Sequence, residues 1–321
     1  MDKFDLYRDI ASRTGGDIYV GVVGPVRTGK STLIKQVMQR LVVDGIENPD
    51  ERSRAIDEIP QSADGKTIMT TQPRFVPNEA VRVPISDNLA VNMRLIDCVG
   101  YLVDGALGAE EEGKERMVST PWSEEKMPFS KAAEIGTQKV IKEHSTIALA
   151  VTTDGSFSKI PREQYVEAEE RVISELKECG KPFAIVLNVA NVNAPSALAL
   201  KDELSAKYDA PVIVKNAVSL EDEDITEILE TILLEFAVTI IDFDLPRWVR
   251  ALPADNDIIK ELLKIVREVG DDVSKMKDYE HIDAFFKSAE FWQEPSAINL
   301  DAGKGRIHVE LAPIDGVFYK V

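Results

Sequence analysis

Residues 17 to 23, DIYVGVV, form an almost unbroken apolar run, and a run of that length predicts a strand buried on both faces. After it, Leu33, Ile34, Val37, Met38, Leu41 and Val42 recur at helical spacing. Residues 45 to 79 are rich in Asp, Asn, Pro, Ser and Gly and read as a long exposed loop. Val81, Val83 and Ile85 then alternate, Ser86 to Asn88 supply a turn, and Leu89, Val91, Met93 and Leu95 alternate again. This predicts a hairpin with one strand at a sheet edge.

Residues 102 to 130 hold Gly, Glu and Pro without an apolar period and read as a second loop that orders on binding. From 131 the pattern becomes regular. It predicts helix 131–143, strand 146–152, helix 162–179 between Pro161 and Gly180, and strand 183–189. Helix 195–207, strand 211–215 and helix 221–236 follow. Strands alternating with helices of this length predict a mostly parallel α/β sheet covered on both faces, with its ligand beyond the carboxyl ends of the strands.

The alternation stops at DFDLPRW, residues 242–248, which places a boundary near 240. Residues 255–289 read as two amphipathic helices, and 306–312, RIHVELA, alternates like a strand. The chain is therefore read as a domain over 1–240 and a smaller α+β region over 241–321. A length of 321 residues fits two domains at roughly 100 to 200 residues each.

The candidate chemistry sits between the first strand and the first helix. GPVRTGKS fits G-x-x-x-x-G-K-[ST], the pattern of a phosphate-binding P-loop. Gly24, Pro25, Val26, Arg27, Thr28, Gly29, Lys30, Ser31 and Thr32 form the expected nucleotide cradle. The glycines let backbone N–H groups converge on phosphates at a helix N-terminus, Lys30 adds positive charge, and Ser31 offers a hydroxyl to Mg²⁺. Asp97 closes the apolar strand RLID, where a carboxylate holds Mg²⁺ through water. With Gly100 it gives D-x-x-G, a spacing that resembles the switch motif of Ras-like GTPases, whose glycine amide senses the γ-phosphate. The fold class expected is thus a GTPase-like P-loop NTPase followed by an α+β region.

A threonine from the intervening loop should close onto the metal and the γ-phosphate. Thr67, Thr70 and Thr71 are available, and Thr70 and Thr71, just before the hairpin, are the candidates. Guanine-specific members carry N-K-x-D after the strand matching 183–189, because a carboxylate accepts both N1–H and N2–H₂. Here the strand ends Asn188, Val189, Ala190, Asn191, which argues against guanine and leaves adenine, with Asn188 in the cofactor site. Tyr101 stands where many GTPases place a water-orienting glutamine. Arg27 reads as a solvated surface arginine, with added charge on the transition state as the alternative.

Composition narrows the partners. Lys and Arg number 38 against 56 Asp and Glu, a net charge of −18, which repels nucleic-acid phosphates and anionic lipid heads. Only Cys98 and Cys179 are present, as in a reduced compartment. The N-terminus MDKFDLYRDI lacks a signal peptide, and no stretch reaches the roughly 18 to 20 apolar residues of a membrane span, so a soluble cytoplasmic protein is expected. His144, His281 and His308 are scattered and are assigned no chemistry, and Trp122, Trp248 and Trp292 are read as anchors.

Several longer stretches carry a resemblance: RTGGDIYVGVVGPVRTGKST (13–32), IPQSADGKTIMTTQPRFVPN (59–78), RLIDCVGY (94–101), AAEIGTQKVIKEHSTIALAVTTDG (132–155) and YVEAEERVISELKECGKPF (165–183). The chain resembles the stage IV sporulation protein A family, spore coat morphogenetic ATPases, over almost all of 1–250 and more loosely beyond. The resemblance implies an ATPase that self-assembles into a layer on the mother-cell side of the forespore surface, a base for the coat. It implies a small amphipathic membrane-bound peptide and spore coat proteins as partners, with ATP and Mg²⁺ bound. Its functional positions fall on Lys30, Ser31, Thr70, Thr71 and Asp97. Family members continue further, so a chain ending at DGVFYKV is expected to lack a C-terminal part. A regulatory GTPase switch, and a nucleotide-binding scaffold without turnover, are the competing expectations.

Overall fold

The computed structural model describes residues 9–10, 12–15, 17–43, 52–53, 56–57, 72–86, 89–104, 110–111, 114–158 and 160–320. Two compact units divide the chain, Met1–Ile232 and Leu233–Val321.

The first unit is built on β1 (Asp17–Val23), β2 (Arg74–Ser86), β3 (Leu89–Asp97), β8 (Ile147–Thr153), β9 (Phe183–Asn188) and β10 (Val212–Lys215). They form one six-stranded sheet in the order β10-β9-β8-β1-β3-β2. All neighbours run parallel except β2, which pairs antiparallel with β3. Every residue of β8 and of β9 is buried, as required of central strands covered on both faces. The helices are α1 (Lys30–Val37), α2 (Phe129–Lys139), α3 (Val166–Cys179), α4 (Pro195–Tyr208) and α5 (Asp222–Leu234). Val172, Ile173 and Leu176 of α3 share one core cluster with Ala148, Ala150, Ile185 and Leu187 of the sheet. The architecture is a mostly parallel P-loop NTPase-like α/β sheet with a smaller sheet region after it.

The register places the candidate site. Val22 of β1 pairs with Asp97 on one side and Leu149 on the other, Thr153 pairs with Asn188, and Asn188 with Lys215. Asp97, Thr153, Asn188 and Lys215 therefore end their strands along one edge. Chain order departs from β1 in both directions, which makes its carboxyl end a topological switch point with a crevice above it.

Two loop expectations are corrected. Of the loop placed over 45–79, Arg74 to Glu79 belong to β2. Pro77 and Asn78 fall in a register irregularity between Val76 and Val81, on an edge strand that tolerates it, so they hide the alternation. The loop placed over 102–130 contains two antiparallel pairs, β4 (Glu110–Glu111) with β5 (Lys114–Glu115), and β6 (Met117–Thr120) with β7 (Ser123–Pro128). In β6 only Val118 and Thr120 turn inward, and no residue of β7 is buried. Such a strand leaves no apolar signature. Helix α2 starts at Phe129, two residues early, because Phe129 packs fully buried with Val118 and Ala132. The helix expected over 162–179 opens as a 3₁₀ turn over Arg162–Tyr165.

In the second unit β11 (Ile240–Asp244) pairs parallel with β13 (Arg306–Glu310), which pairs antiparallel with β12 (Ala297–Asp301). Helix α6 (Asp257–Asp272) is capped by Asn256, whose side chain accepts from the Ile258 amide, and it buries Ile258, Leu262, Ile265 and Val269. The buried Trp292 indole donates to the Ile258 carbonyl at 3.2 Å. The second amphipathic helix is corrected to 3₁₀ turns over Met276–Phe286. They start where the Asp278 carboxylate accepts the Ser274 and Lys275 amides. Glu235, also buried, is held by Lys275 at 2.6 Å and Lys277 at 2.9 Å.

One buried network ties α3 to the sheet and to α4. Glu169, 2% exposed, accepts from Thr152 of β8, from Arg162 at 2.7 Å and from the Tyr208 hydroxyl at 2.8 Å. Burial, and then the Glu169 carboxylate, push the Tyr208 phenol well above its usual range, so it stays a donor. Removing the acid strands three donors. Glu169→Ala should therefore cost about 3 kcal/mol, read as a lower urea midpoint for the first unit. An unchanged midpoint would contradict this role.

Candidate active site

The loop between β1 and α1 takes a shape that its residue types dictate. Gly29 caps α1 at φ 91°, and a side chain there would overlap the Asn188 amide nitrogen. Arg27 also has a left-handed backbone, φ 64°, a conformation that a non-glycine residue adopts only where its surroundings impose it. Its side chain is exposed. Pro25, Val26 and Thr28 are buried, Thr32 is half-buried, and the Thr28 hydroxyl donates to the Pro25 carbonyl at 3.0 Å.

Lys30, 5% exposed, folds back across this loop. Its Nζ donates to the Pro25 carbonyl at 2.6 Å and the Gly24 carbonyl at 3.2 Å, two of the three bonds that an ammonium can make. Burial lowers its pKa, and the neighbouring Asp97 charge works against that. The Cys98 thiol beside it is pushed up to about 11 by burial, so at neutral pH it is an uncharged, inert core group.

Next to the lysine, Ser31 Oγ donates to Asp97 Oδ2 at 2.8 Å. The other carboxylate oxygen, Asp97 Oδ1, is buried with no hydrogen-bond partner. Burial holds the Asp97 carboxyl above the usual carboxylate range, with the Ser31 hydrogen bond and the Lys30 charge pulling it back. A serine hydroxyl beside a carboxylate whose second oxygen is unsatisfied is a hard-oxygen donor pair. It fits Mg²⁺, which takes one or two protein ligands and completes its shell with water and phosphate. Among the described residues no cluster of three or more His, Cys, Asp or Glu could hold a metal, so a cage made of protein ligands alone is not what this site offers. Thr70 and Thr71, with Thr67, lie outside the described residues.

Gly100 stands directly over the loop. At φ 88°, a side chain there would overlap the Gly24 carbonyl and crowd Lys30 Nζ. The next residue, Tyr101, is 5% exposed and sends its hydroxyl to Glu175 at 2.6 Å, away from the phosphate loop. It is not placed as a water-orienting side chain.

Asn188 turns out to grip the loop. Its Nδ2 donates to the Thr28 carbonyl at 3.0 Å and its Oδ1 accepts the Ala217 amide at 2.9 Å, so its amide is committed to backbone. Asn191 is exposed and its Oδ1 accepts the Asn193 amide at 3.1 Å. The segment after β10 belongs to the same edge, with Asn216 Nδ2 donating to the Ala190 carbonyl at 3.2 Å. Sequence reasoning missed Asn216 and Ala217. The signal available was their place just past the last parallel strand, where the ligand crevice of such sheets lies.

Residues 1–237 match the family model described as Stage IV sporulation protein A, ATPase domain, and residues 238–321 the model described as Stage IV sporulation protein A, middle domain. Curated proteins named Stage IV sporulation protein A are similar along the chain. The one from Clostridioides difficile (strain 630) is 48% identical over 317 residues, covering 99% of this chain. Those from Bacillus anthracis and Bacillus subtilis (strain 168) are each 47% identical over 321 residues, covering all of it. The chain spans 65% of the length of each of these relatives.

Asp97 gives a prediction with a defined sign. Its folded pKa is raised, so ionisation costs stability as pH climbs above the unfolded value of about 3.9, whereas a metal needs the ionised form. Mg²⁺-dependent nucleotide affinity should therefore fall as pH drops through a value above the normal carboxylate range. Asp97→Asn should abolish that affinity by at least about tenfold, yet melt no lower than wild type in Mg²⁺-free buffer at pH 7. Calorimetric titration and thermal melts read both. A variant that keeps metal-dependent binding would contradict the assignment.

Proposed function

The chain belongs to the stage IV sporulation protein A family, and on that premise we propose that it is a Mg²⁺-dependent ATPase whose nucleotide state governs its own assembly. The observation that carries this reading is the 2.8 Å bond from Ser31 Oγ to Asp97 beside the buried Lys30. Backbone N–H groups of Arg27 to Ser31 cradle the phosphates at the start of α1, and Lys30 supplies positive charge opposite the β and γ oxygens. Ser31 and Asp97 would hold the metal. Mg²⁺, when bound, neutralises charge that builds on the phosphate oxygens. The family resemblance assigns Thr70 and Thr71 to the same metal and γ-phosphate, and the Gly100 amide would face the γ-phosphate.

Adenine is preferred over guanine. Asn188 is committed to the Thr28 carbonyl and the Ala217 amide, and no carboxylate stands at Asn191 to accept the two donors of guanine. With Tyr101 turned toward Glu175, turnover is slow. That same observation favours one competing reading, a scaffold that binds nucleotide without hydrolysing it.

The finer biology follows from the family resemblance. ATP drives self-assembly into a layer at the forespore surface on the mother-cell side, as the base for coat assembly. Among the described residues no helix is long and apolar enough to cross a membrane. A small amphipathic membrane-bound peptide brings the protein to that surface, and spore coat proteins bind the layer.

Phosphate release with ATP and with GTP, followed with particle size by light scattering, tests the reading. Wild type should release phosphate from ATP several-fold faster than from GTP and grow in particle size with ATP, and Lys30→Ala should do neither. GTP preference would establish the regulatory GTPase alternative, and ATP binding without release would establish the scaffold.

A further inference from the structure

Tyr101 grips two parts of the first unit at once. Its carbonyl accepts the Val26 amide of the phosphate loop at 2.9 Å, and Pro25 and Tyr101 pair as an isolated parallel bridge. Its side chain is locked in the other direction. The hydroxyl donates to Glu175 Oε2 at 2.6 Å, and the Arg171 guanidinium lies 4.3 Å from the ring centroid. The second Glu175 oxygen, Oε1, receives Gln138 Nε2 at 3.1 Å and Arg171 Nε at 3.4 Å, and Arg171 also bonds Glu134 of α2. Burial, and then Glu175, keep the phenol protonated far above its usual range, so this donor does not switch off near neutral pH.

We propose that Tyr101 and Glu175 are positioning residues: the Tyr101–Glu175 hydrogen bond anchors the phosphate loop to α3 and sets the Asp97–Gly100 turn against Lys30. The proposal rests on the reading of this site as an ATP-hydrolysing one and names what aligns it. Three features support a positioning role. In place of a water-orienting glutamine stands a buried tyrosine whose hydroxyl is already committed to Glu175. The Val26 amide that it holds lies in the cradle itself. Gly100, its chain neighbour, lies so close to the Gly24 carbonyl and Lys30 Nζ that a side chain there would overlap them. Loosening the hydroxyl should therefore let the loop drift without unfolding the sheet, and such drift penalises reaction more than binding.

The experiment compares wild type with Tyr101→Phe, Glu175→Gln, and Glu170→Gln as a control on the exposed face of the same helix, where Glu170 pairs with Lys207. Two readouts are taken: kcat and Kd for ATP, and hydrogen exchange of the Val26 amide in nucleotide-free protein. Tyr101→Phe should lower kcat about tenfold, with Kd changed less than about twofold, and should speed Val26 exchange about tenfold while the β9 amides stay protected. Glu175→Gln, which keeps one acceptor oxygen for the hydroxyl, should fall between Tyr101→Phe and wild type, and Glu170→Gln should match wild type. Unchanged Val26 exchange in Tyr101→Phe would overturn the anchor, and faster exchange with unchanged kcat would reduce it to a structural contact. If wild type itself released no phosphate, the ATPase reading would fail, and the exchange measurement would still judge the anchor.

Discussion

A phosphate loop with left-handed residues at Arg27 and Gly29 holds its shape only if it is gripped from outside, and the first unit is organised around that grip. Four hydrogen bonds provide it: Val26 to the Tyr101 carbonyl, Asn188 to the Thr28 carbonyl, and Lys30 to the carbonyls of Gly24 and Pro25. They come from Tyr101 just beyond β3, from Asn188 at the end of β9 and from Lys30 at the start of α1. The parallel sheet matters because it brings those ends to one level. Its fully buried β8 and β9 make the platform stiff enough to keep them there.

The same grip sets the electrostatics. Lys30 is buried and Asp97 has a buried oxygen without a partner, and burial alone disfavours both charges. Each eases the other, and Ser31 adds one hydrogen bond to the carboxylate. This is a strained balance that a divalent cation and a polyphosphate would complete, the cation on the hard oxygens and the anion on the loop amides. Tyr101 takes no part in this charge arrangement. Its side chain turns to α3, where Glu175 and Arg171 hold it, while its carbonyl holds the phosphate loop.

The sheet and the loop were legible for physical reasons. Continuous apolar runs such as IALAVTT at 147–153 and FAIVLN at 183–188 leave little choice but buried parallel strands, and the glycines of GPVRTGKS mark backbone that other residues cannot adopt. The hairpin over 117–128 was illegible because it buries only Val118 and Thr120, and β2 was masked at its start by Pro77 in a register irregularity. The 3₁₀ turns over 276–286 share the apolar content of a helix, so pattern alone did not separate them. The place of Asn188 at a strand end was legible, but its partners Thr28 and Ala217 depend on the sheet register. Glu175 was not legible at all, since an acid on an amphipathic helix reads as a solvated face.

The proposed metal position lies between Ser31 and Asp97 at the mouth of the loop. Mn²⁺ with ATP, titrated into isotope-labelled protein, broadens the amide resonances nearest the ion in a nuclear magnetic resonance spectrum. Broadening should centre on Ser31 and Asp97, spread to Gly100, and be lost when Ser31 and Asp97 are both replaced by alanine. Broadening centred elsewhere on the chain, or persisting in that double variant, would contradict that position.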